Sequence, residues 1–249
     1  MSRLLHTLRL LLRDGLNGAL APCGLEITGR PQLEELRTLV QLGGRSRSQY
    51  GQDVFVLSEL GFPRNGFFVE FGAYDGVTFS NTHLLEKELG WSGILAEPAR
   101  CCHADLAAHR TCMIEHGCVW RDSDARLSFR EEKRAFLSKP GSPTAATHAG
   151  DTDSGAAAVY EVRTISLNDL LAKYDAPHWI DYLSIDTEGS EFDILDAFDF
   201  KSHTFRTITC EHNHNHVIRV AIHDLLSQHG YVRRYQHYSM CDDWYVFAG

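Results

Sequence analysis

The sequence predicts an α/β fold: a mostly parallel, Rossmann-like sheet with helices on both faces. Three observations predict it. Residues 66–71 are an apolar run carrying Glu70; they lead into a turn spaced by Gly72 and Gly76, and residues 80–90 then follow a helical pattern. Strand, tight glycine turn and helix make the first unit of a nucleotide-binding sheet. A second apolar run, 93–96, ends in Glu97-Pro98, about twenty residues after the turn, where a carboxylate reaches ribose hydroxyls in such sheets. Two later apolar runs, 180–185 and 207–210, also end in acidic residues, Asp186 and Glu211.

Composition sets the bounds. A chain of 249 residues with 43% apolar content builds one large α/β domain or two small ones around a real core. The net charge of −9 argues against a nucleic-acid groove, because there is no basic excess to release counterions. The seven cysteines include no C-x-x-C pair and read as buried thiols of a reducing, cytoplasmic compartment. No apolar run is long enough to span a bilayer.

In chain order, residues 1–20 read as an amphipathic helix, with Leu4, Leu5, Leu8, Leu11 and Leu12 on one side and Arg3, Arg9 and Arg13 interleaved. Such a face suits peripheral contact with an anionic membrane surface, or packing on the domain. The arginines break the apolar stretch and no small-residue cleavage site stands out, so a signal peptide is not expected. Residues 21–48 are loop-rich, with a helix near 32–42. The expected organisation is an N-terminal extension, 1–47, followed by one domain, 48–249. An apolar helix, 54–60, precedes the first strand and should cover it. A helix at 99–109 and a strand at 111–119 complete the first half. Residues 138–158, rich in Ser, Thr, Gly, Ala and Pro, read as an insertion or lid. A strand ends at 162–165, and Ser166 caps a helix at 167–173. Strand 180–186, helix 192–198, strand 207–211 and helix 217–229 follow. Strands 231–236 and 244–247 form an antiparallel edge hairpin.

Several motifs stand together in this order. Glu70-x-Gly72-x-x-x-Gly76 differs in spacing from the dinucleotide fingerprint and looks like the first motif of S-adenosylmethionine (SAM) methyltransferases. With it stand Ser80-Asn81-Thr82, Gly90-Trp91-x-Gly93-Ile94-Leu95-x-Glu97-Pro98, Ser166-Leu167-Asn168-Asp169-Leu170-Leu171, and the run from Asp181 through Asp186-Thr187-Glu188-Gly189 to Glu191. As a set they resemble the FkbM-type methyltransferases, a branch of the class I SAM-dependent enzymes, over roughly residues 48–248. The resemblance implies a seven-stranded sheet with one antiparallel strand. It also implies methyl transfer to oxygen on a sugar, glycolipid, polysaccharide or polyketide-like hydroxyl acceptor. The cofactor contacts expected with it are Glu70, Gly72, Tyr74, Asp75, Gly76, Asn81, Glu97 and Asp186, with Asp122 within reach of the adenine.

Ligands in open α/β sheets bind outside the carboxyl ends of the strands. Asp186 and Glu211 are therefore expected to face one another beside the transferred methyl. An alcohol is not ionised at neutral pH; a general base or a metal must lower its pKa. The sequence offers both. His212, aided by Asp186 and Glu188, is the candidate base. Asp186, Glu211 and Asn213 are oxygen ligands suited to Mg²⁺. Two other readings compete: a nicotinamide oxidoreductase, disfavoured by the glycine spacing, and a methyltransferase-like module that binds SAM without turnover.

Overall fold

The computed structural model describes residues 30–131, 139–140 and 158–249. The amphipathic leader at 1–20 and most of the 138–158 segment lie outside the described residues. The chain divides into two compact units, Met1–Arg45 and Ser46–Gly249. The first contributes one described helix, α1 (Arg30–Gly43). Among the described residues no helix is long and apolar enough to cross a membrane.

The second unit is built on a seven-stranded sheet. An interior strand, β1 (Phe67–Phe71), is flanked on one side by β2 (Ser92–Ala96) and β3 (Met113–Glu115). On the other side lie β8 (Trp179–Ile185), β9 (Thr204–Glu211), β11 (Asp242–Phe247) and, at the edge, β10 (Tyr231–Arg234). Val69 of β1 sits opposite Ile94 on one side and Leu183 on the other, both in parallel register. A central parallel strand is covered on both faces, so it reads as a continuous apolar run. Only β11 runs antiparallel, against both β9 and β10. The expected hairpin therefore exists, but its return strand lies inside the sheet and not at the edge. That insertion buries Trp244 and Tyr245.

The helices of this unit are α2 (Gln52–Leu60), α3 (His83–Leu89), α4 (His103–His109), α5 (Leu167–Lys173), α6 (Glu191–Asp196) and α7 (His216–Gln228). A 3₁₀ turn, Arg100–Cys102, leads into α4, so the expected 99–109 helix is in two parts. Ser166 caps α5 by accepting the Asp169 N–H. Asn215 caps α7 by accepting the Val217 and Ile218 N–H groups. Both satisfy donors that a helix start leaves unpaired.

The expected strand at 111–119 is two strands. β3 ends at Glu115, and β4 (Cys118–Trp120) leaves the main sheet to pair in parallel with β7 (Ala158–Ser166). Gly117 lies between them, and a Cβ there would stand 3.1 Å from a Glu115 carboxylate oxygen and 3.3 Å from the Arg163 carbonyl. β7 also pairs antiparallel with β5 (Arg126–Glu131), which meets the short β6 (Lys139–Pro140). This second, four-stranded sheet was not expected from the sequence. Leu127, Phe129 and Val162 from it pack against Ala99, Cys102 and Cys118.

Candidate active site

A cleft of about 360 Å³ opens at the carboxyl ends of β1, β2, β8 and β9, with β4 and β5 closing one flank. The glycine turn after β1 forms its floor. Gly72 has φ +76°, and a Cβ on it would overlap the Asp186 carbonyl oxygen. Its missing side chain thus admits a neighbouring strand end, so the close approach is made by protein backbone. Gly76, at φ +79°, lies outside the cleft. A Cβ there would meet Arg110 Cγ at 2.6 Å and Leu106 Cδ1 at 2.8 Å. The sequence places Gly76 against the cofactor; the structure places it under α4 and its C-terminal neighbour Arg110.

Glu70 lines the cleft, yet the protein takes its oxygens. Oε1 accepts the Asn81 N–H at 2.7 Å, while Oε2 accepts the hydroxyls of Ser80 and Thr82. The fully buried Arg110 guanidinium stands 3.7 Å from Oε2 and binds Glu86 Oε2 at 2.6 Å, the Gly76 carbonyl, Ser80 Oγ and Thr82 Oγ1. Glu70 and Arg110 therefore hold the turn that starts α3. Asp75, expected at the cofactor, is likewise a turn residue. Its carboxylate accepts the Val77 and Thr78 N–H groups and the Thr78 hydroxyl, and it does not line the cleft.

Glu97, at the end of β2, does line it. Burial pushes its carboxyl up to about 7. Among the described residues its oxygens accept two donors, the Tyr74 N–H at 2.8 Å and the Ala99 N–H at 2.8 Å. A carboxylate has about four acceptor positions, so capacity remains for a diol at its exposed edge. Beside it, Cys118, Val119 and Phe129 make an apolar wall. Asp122 is absent from that wall: it is exposed, 3.9 Å from Arg121. The departure of β4 toward the small sheet carries the loop away and leaves Cys118 and Val119 facing the cleft.

The opposite end is acidic. Asp186, Glu188 and Glu211 each place an oxygen within 4.8 Å of the others. Asp186 and Glu211 stand side by side, and two carboxylates that close repel unless a proton or a cation lies between them. Desolvation, then the Glu211 charge, raises Asp186 well above the usual carboxylate range. Burial pushes Glu211 up to about 7. Asn213 donates its Nδ2–H to Glu211 Oε2 at 2.8 Å and to Glu188 Oε2 at 3.4 Å. Its amide thus faces the carboxylates as a donor, not as the metal ligand expected from the sequence. Asn81 donates Nδ2–H to Ser184 Oγ at 2.9 Å, while its buried Oδ1 has no partner among the described residues.

His212 does not reach the cleft. It is 4% exposed. Its Nδ1 accepts the His214 N–H at 3.1 Å, so the proton is on Nε2, which donates to the Asp242 carbonyl at 3.1 Å. Burial lowers its pKa. A neutral imidazole with both nitrogens engaged cannot collect an acceptor proton; His212 instead ties the end of β9 to the start of β11.

Sequence reasoning missed one wall. Gln49, Tyr50 and Cys241 line the acceptor end, brought there because Gln52 Nε2 donates to Asp242 Oδ2 at 2.7 Å. The signal was the polar run Ser48-Gln49-Tyr50-Gly51-Gln52-Asp53 ahead of α2. Backbone strain concentrates at the same place. Tyr74, Phe79, Glu188, Asn213 and His214 all line the cleft with positive φ, between 47° and 59°. Non-glycine residues adopt that conformation at a cost of order 1 kcal/mol or more.

Sheet order, switch-point cleft and glycine turn define a Rossmann-like class I methyltransferase fold. The chain belongs to the FkbM methyltransferase domain family, whose model matches residues 70–233. That family is SAM-dependent, which excludes the nicotinamide reading. No curated protein matches the chain. Among solved structures, precorrin-6y C5,15-methyltransferase from Geobacter metallireducens is similar at 10% identity and TM-score 0.42, over 79% of this chain and 87% of that one. A candidate RNA methyltransferase from Pyrococcus horikoshii is similar at 9% identity and TM-score 0.40, over 80% and 83%.

Proposed function

We propose that the protein transfers a methyl group from SAM to a hydroxyl of a small-molecule or glycan acceptor, with the Asp186–Glu211 pair as proton acceptor. The observation that carries this reading is the close approach of the Asp186 and Glu211 carboxyl groups, in the same cleft as Glu97. SAM suits the residues present: Glu97 has acceptor capacity for a ribose diol, and the wall of Cys118, Val119 and Phe129 is apolar enough for a base. When bound, SAM supplies an electrophilic methyl on a sulfonium.

The chain's own residues do the rest. Glu97 holds the ribose end in place. Gly72 and Tyr74 line the floor between Glu97 and Asp186. Glu211 accepts a hydrogen bond from the acceptor hydroxyl and takes its proton as the oxygen becomes bonded to carbon. Asp186, protonated in this reading, donates to Glu211 and keeps it oriented. A base with pKa near 7 is matched to work at neutral pH.

One observation favours a second reading of the same step. Asp186, Glu188 and Glu211 are close enough for one divalent cation, and Mg²⁺ there would displace the shared proton and polarise the acceptor oxygen. Methyl transfer from labelled SAM to a panel of hydroxylated acceptors, with and without EDTA, tests both. Turnover unaffected by EDTA supports the carboxyl pair; loss restored by Mg²⁺ supports the ion. No transfer despite SAM binding would sink the catalytic reading and leave a binding module.

A further inference from the structure

We propose that the small sheet sets ribose recognition from outside the cleft, with Tyr160 and Glu131 as positioning residues for Glu97. This proposal rests on the reading of Glu97 as the ribose carboxylate.

The aim of Glu97 depends on its neighbours. It follows β2, and Pro98 and Ala99 carry the chain into the 3₁₀ turn Arg100–Cys102. Its main chain is anchored on both sides: the N–H donates to the Glu115 carbonyl at 3.0 Å, and the carbonyl accepts His103 Nε2–H at 3.0 Å. Its side chain is aimed by other groups. Oε1 accepts the Ala99 N–H and Oε2 the Tyr74 N–H. The carboxylate therefore follows the direction of the Ala99 N–H, and with it the placement of the turn that Ala99 begins.

That turn has no cap of its own. Ala99 stands at the N-cap position, where a methyl group accepts no hydrogen bond. The first N–H groups of a helical segment have no partner inside it. The small sheet satisfies them. Tyr160 Oη accepts the Arg100 N–H at 3.0 Å, and Glu131 Oε2 accepts the Cys101 N–H at 3.3 Å. Tyr160 donates its own proton to the same Glu131 oxygen at 2.6 Å, so β7 and β5 act as one clamp. A carboxylate also suits the positive end of a helical segment. The Arg100 guanidinium lies 4.0 Å from the centre of the Tyr160 ring, a further hold on the same turn.

Strand register makes the clamp part of the site. Tyr160 of β7 sits directly opposite Phe129 of β5, with ring centroids 5.7 Å apart. Glu131 follows Phe129 by two residues, which puts it on the same face of the strand. One face of the small sheet thus offers the cleft an apolar wall through Phe129 and grips the ribose carboxylate's turn through Tyr160 and Glu131. Tyr160 and Glu131 do not line the cleft themselves. They act on the cofactor through Ala99 and Glu97.

The test is calorimetric. S-adenosylhomocysteine bound to the full-length protein is displaced by adenosine or by 2′,3′-dideoxyadenosine, which lacks the ribose diol. The parent should prefer adenosine by about tenfold or more. Tyr160→Phe keeps the ring against Phe129 and Arg100 and removes only the hydroxyl. It should lose most of that preference, while dideoxyadenosine binds as it does to the parent. Glu131→Ala should behave likewise. Glu131→Gln, which still offers an oxygen to Tyr160 and Cys101, should keep the preference. A Tyr160→Phe protein with the parental preference overturns the proposal. So does one that loses affinity for both nucleosides equally, which is what a merely structural role predicts. If that variant does not fold, the ratio for Glu131→Ala against Glu131→Gln decides in the same way. The parent itself separates the levels. No S-adenosylhomocysteine binding rejects the cofactor reading, and binding without an adenosine preference rejects Glu97 as the ribose carboxylate; the clamp falls with either. A parental preference that Tyr160→Phe retains rejects the clamp alone.

Discussion

Gly72 and Asp186 meet backbone to backbone: the space where a Cβ of residue 72 would lie is taken by the Asp186 carbonyl oxygen. The end of β1 and the end of β8 are thereby fixed against one another at the floor of the cleft. Gly72→Ala meets two penalties, the overlap and a φ of +76°. Together they should cost about 2–4 kcal/mol of stability, and SAM affinity should fall with it. Urea denaturation measures the first and calorimetry the second. A variant as stable as the parent would show that the contact relaxes freely.

Glu97 should govern cofactor affinity without governing stability. Its carboxylate keeps acceptor capacity beyond the Tyr74 and Ala99 N–H groups. Glu97→Gln retains size and one acceptor oxygen, and should weaken SAM by about 10- to 100-fold. Unchanged affinity would remove Glu97 from the cofactor site.

Glu211 predicts the pH–rate profile. Its carboxyl is pushed up to about 7, and the base must be ionised to accept a proton. The rate should therefore be full above that value and fall about tenfold per pH unit below it. Glu211→Gln should slow turnover by about 10²–10⁴-fold. His212→Gln, which preserves a donor toward the Asp242 carbonyl, should stay within about tenfold. The opposite ranking of the two variants would restore His212 as the base.

Arg110 should be the more severe structural loss. Its guanidinium is fully buried among Glu70, Glu86, Ser80 and Thr82. Removing one partner of a buried network leaves the other charges uncompensated, at about 3–5 kcal/mol. Arg110→Met should lower Tm by roughly 6 °C or more. Arg110→Lys should recover only part of that, because an ammonium cannot reproduce the fork. A Tm equal to the parent for either variant would contradict this.

The ligand-free protein should be less stable at pH 8 than at pH 5. Glu97 and Glu211 rise from 4.5 to about 7, and Asp242 from 3.8 to about 6. Between the lower and the upper values the native state holds more protons than the unfolded chain, so stability falls as pH rises through that window. Glu86 works the other way. Lowered to about 2, it contributes stability above 4.5 that is lost on acidification toward 2. The optimum should lie near pH 5, with Tm at pH 8 lower by about 5 °C or more. A Tm that rises from pH 5 to pH 8 would count against the raised carboxyls.

What could be seen in the sequence was what is local. Strand, glycine turn and helix are contiguous, and Glu97 follows at a set distance, so hydrophobic period and turn chemistry suffice. The facing of Asp186 and Glu211 follows from strand order alone. Other features depend on partners far along the chain. Gly76 owes its place to Arg110 and Leu106, and His212 to residues at the start of β11. Neither neighbour leaves a mark on the local sequence. The small sheet was hidden for another reason. β4 is three residues long, and nothing in Met113 through Trp120 distinguishes one strand from two except Gly117.

The ladder between β5 and β7 has one further consequence. It runs without a break to its last pair, Glu131 opposite Ala158. Between those two residues the chain touches the sheet once more, where β6 sets Lys139 opposite Arg130 and Pro140 opposite Phe129. Phe129 thus has a strand on each side, with Tyr160 of β7 opposite it on the other. The apolar wall beside Glu97 is therefore carried by an interior strand, and a change at Pro140 should be felt at the adenine end of the cleft.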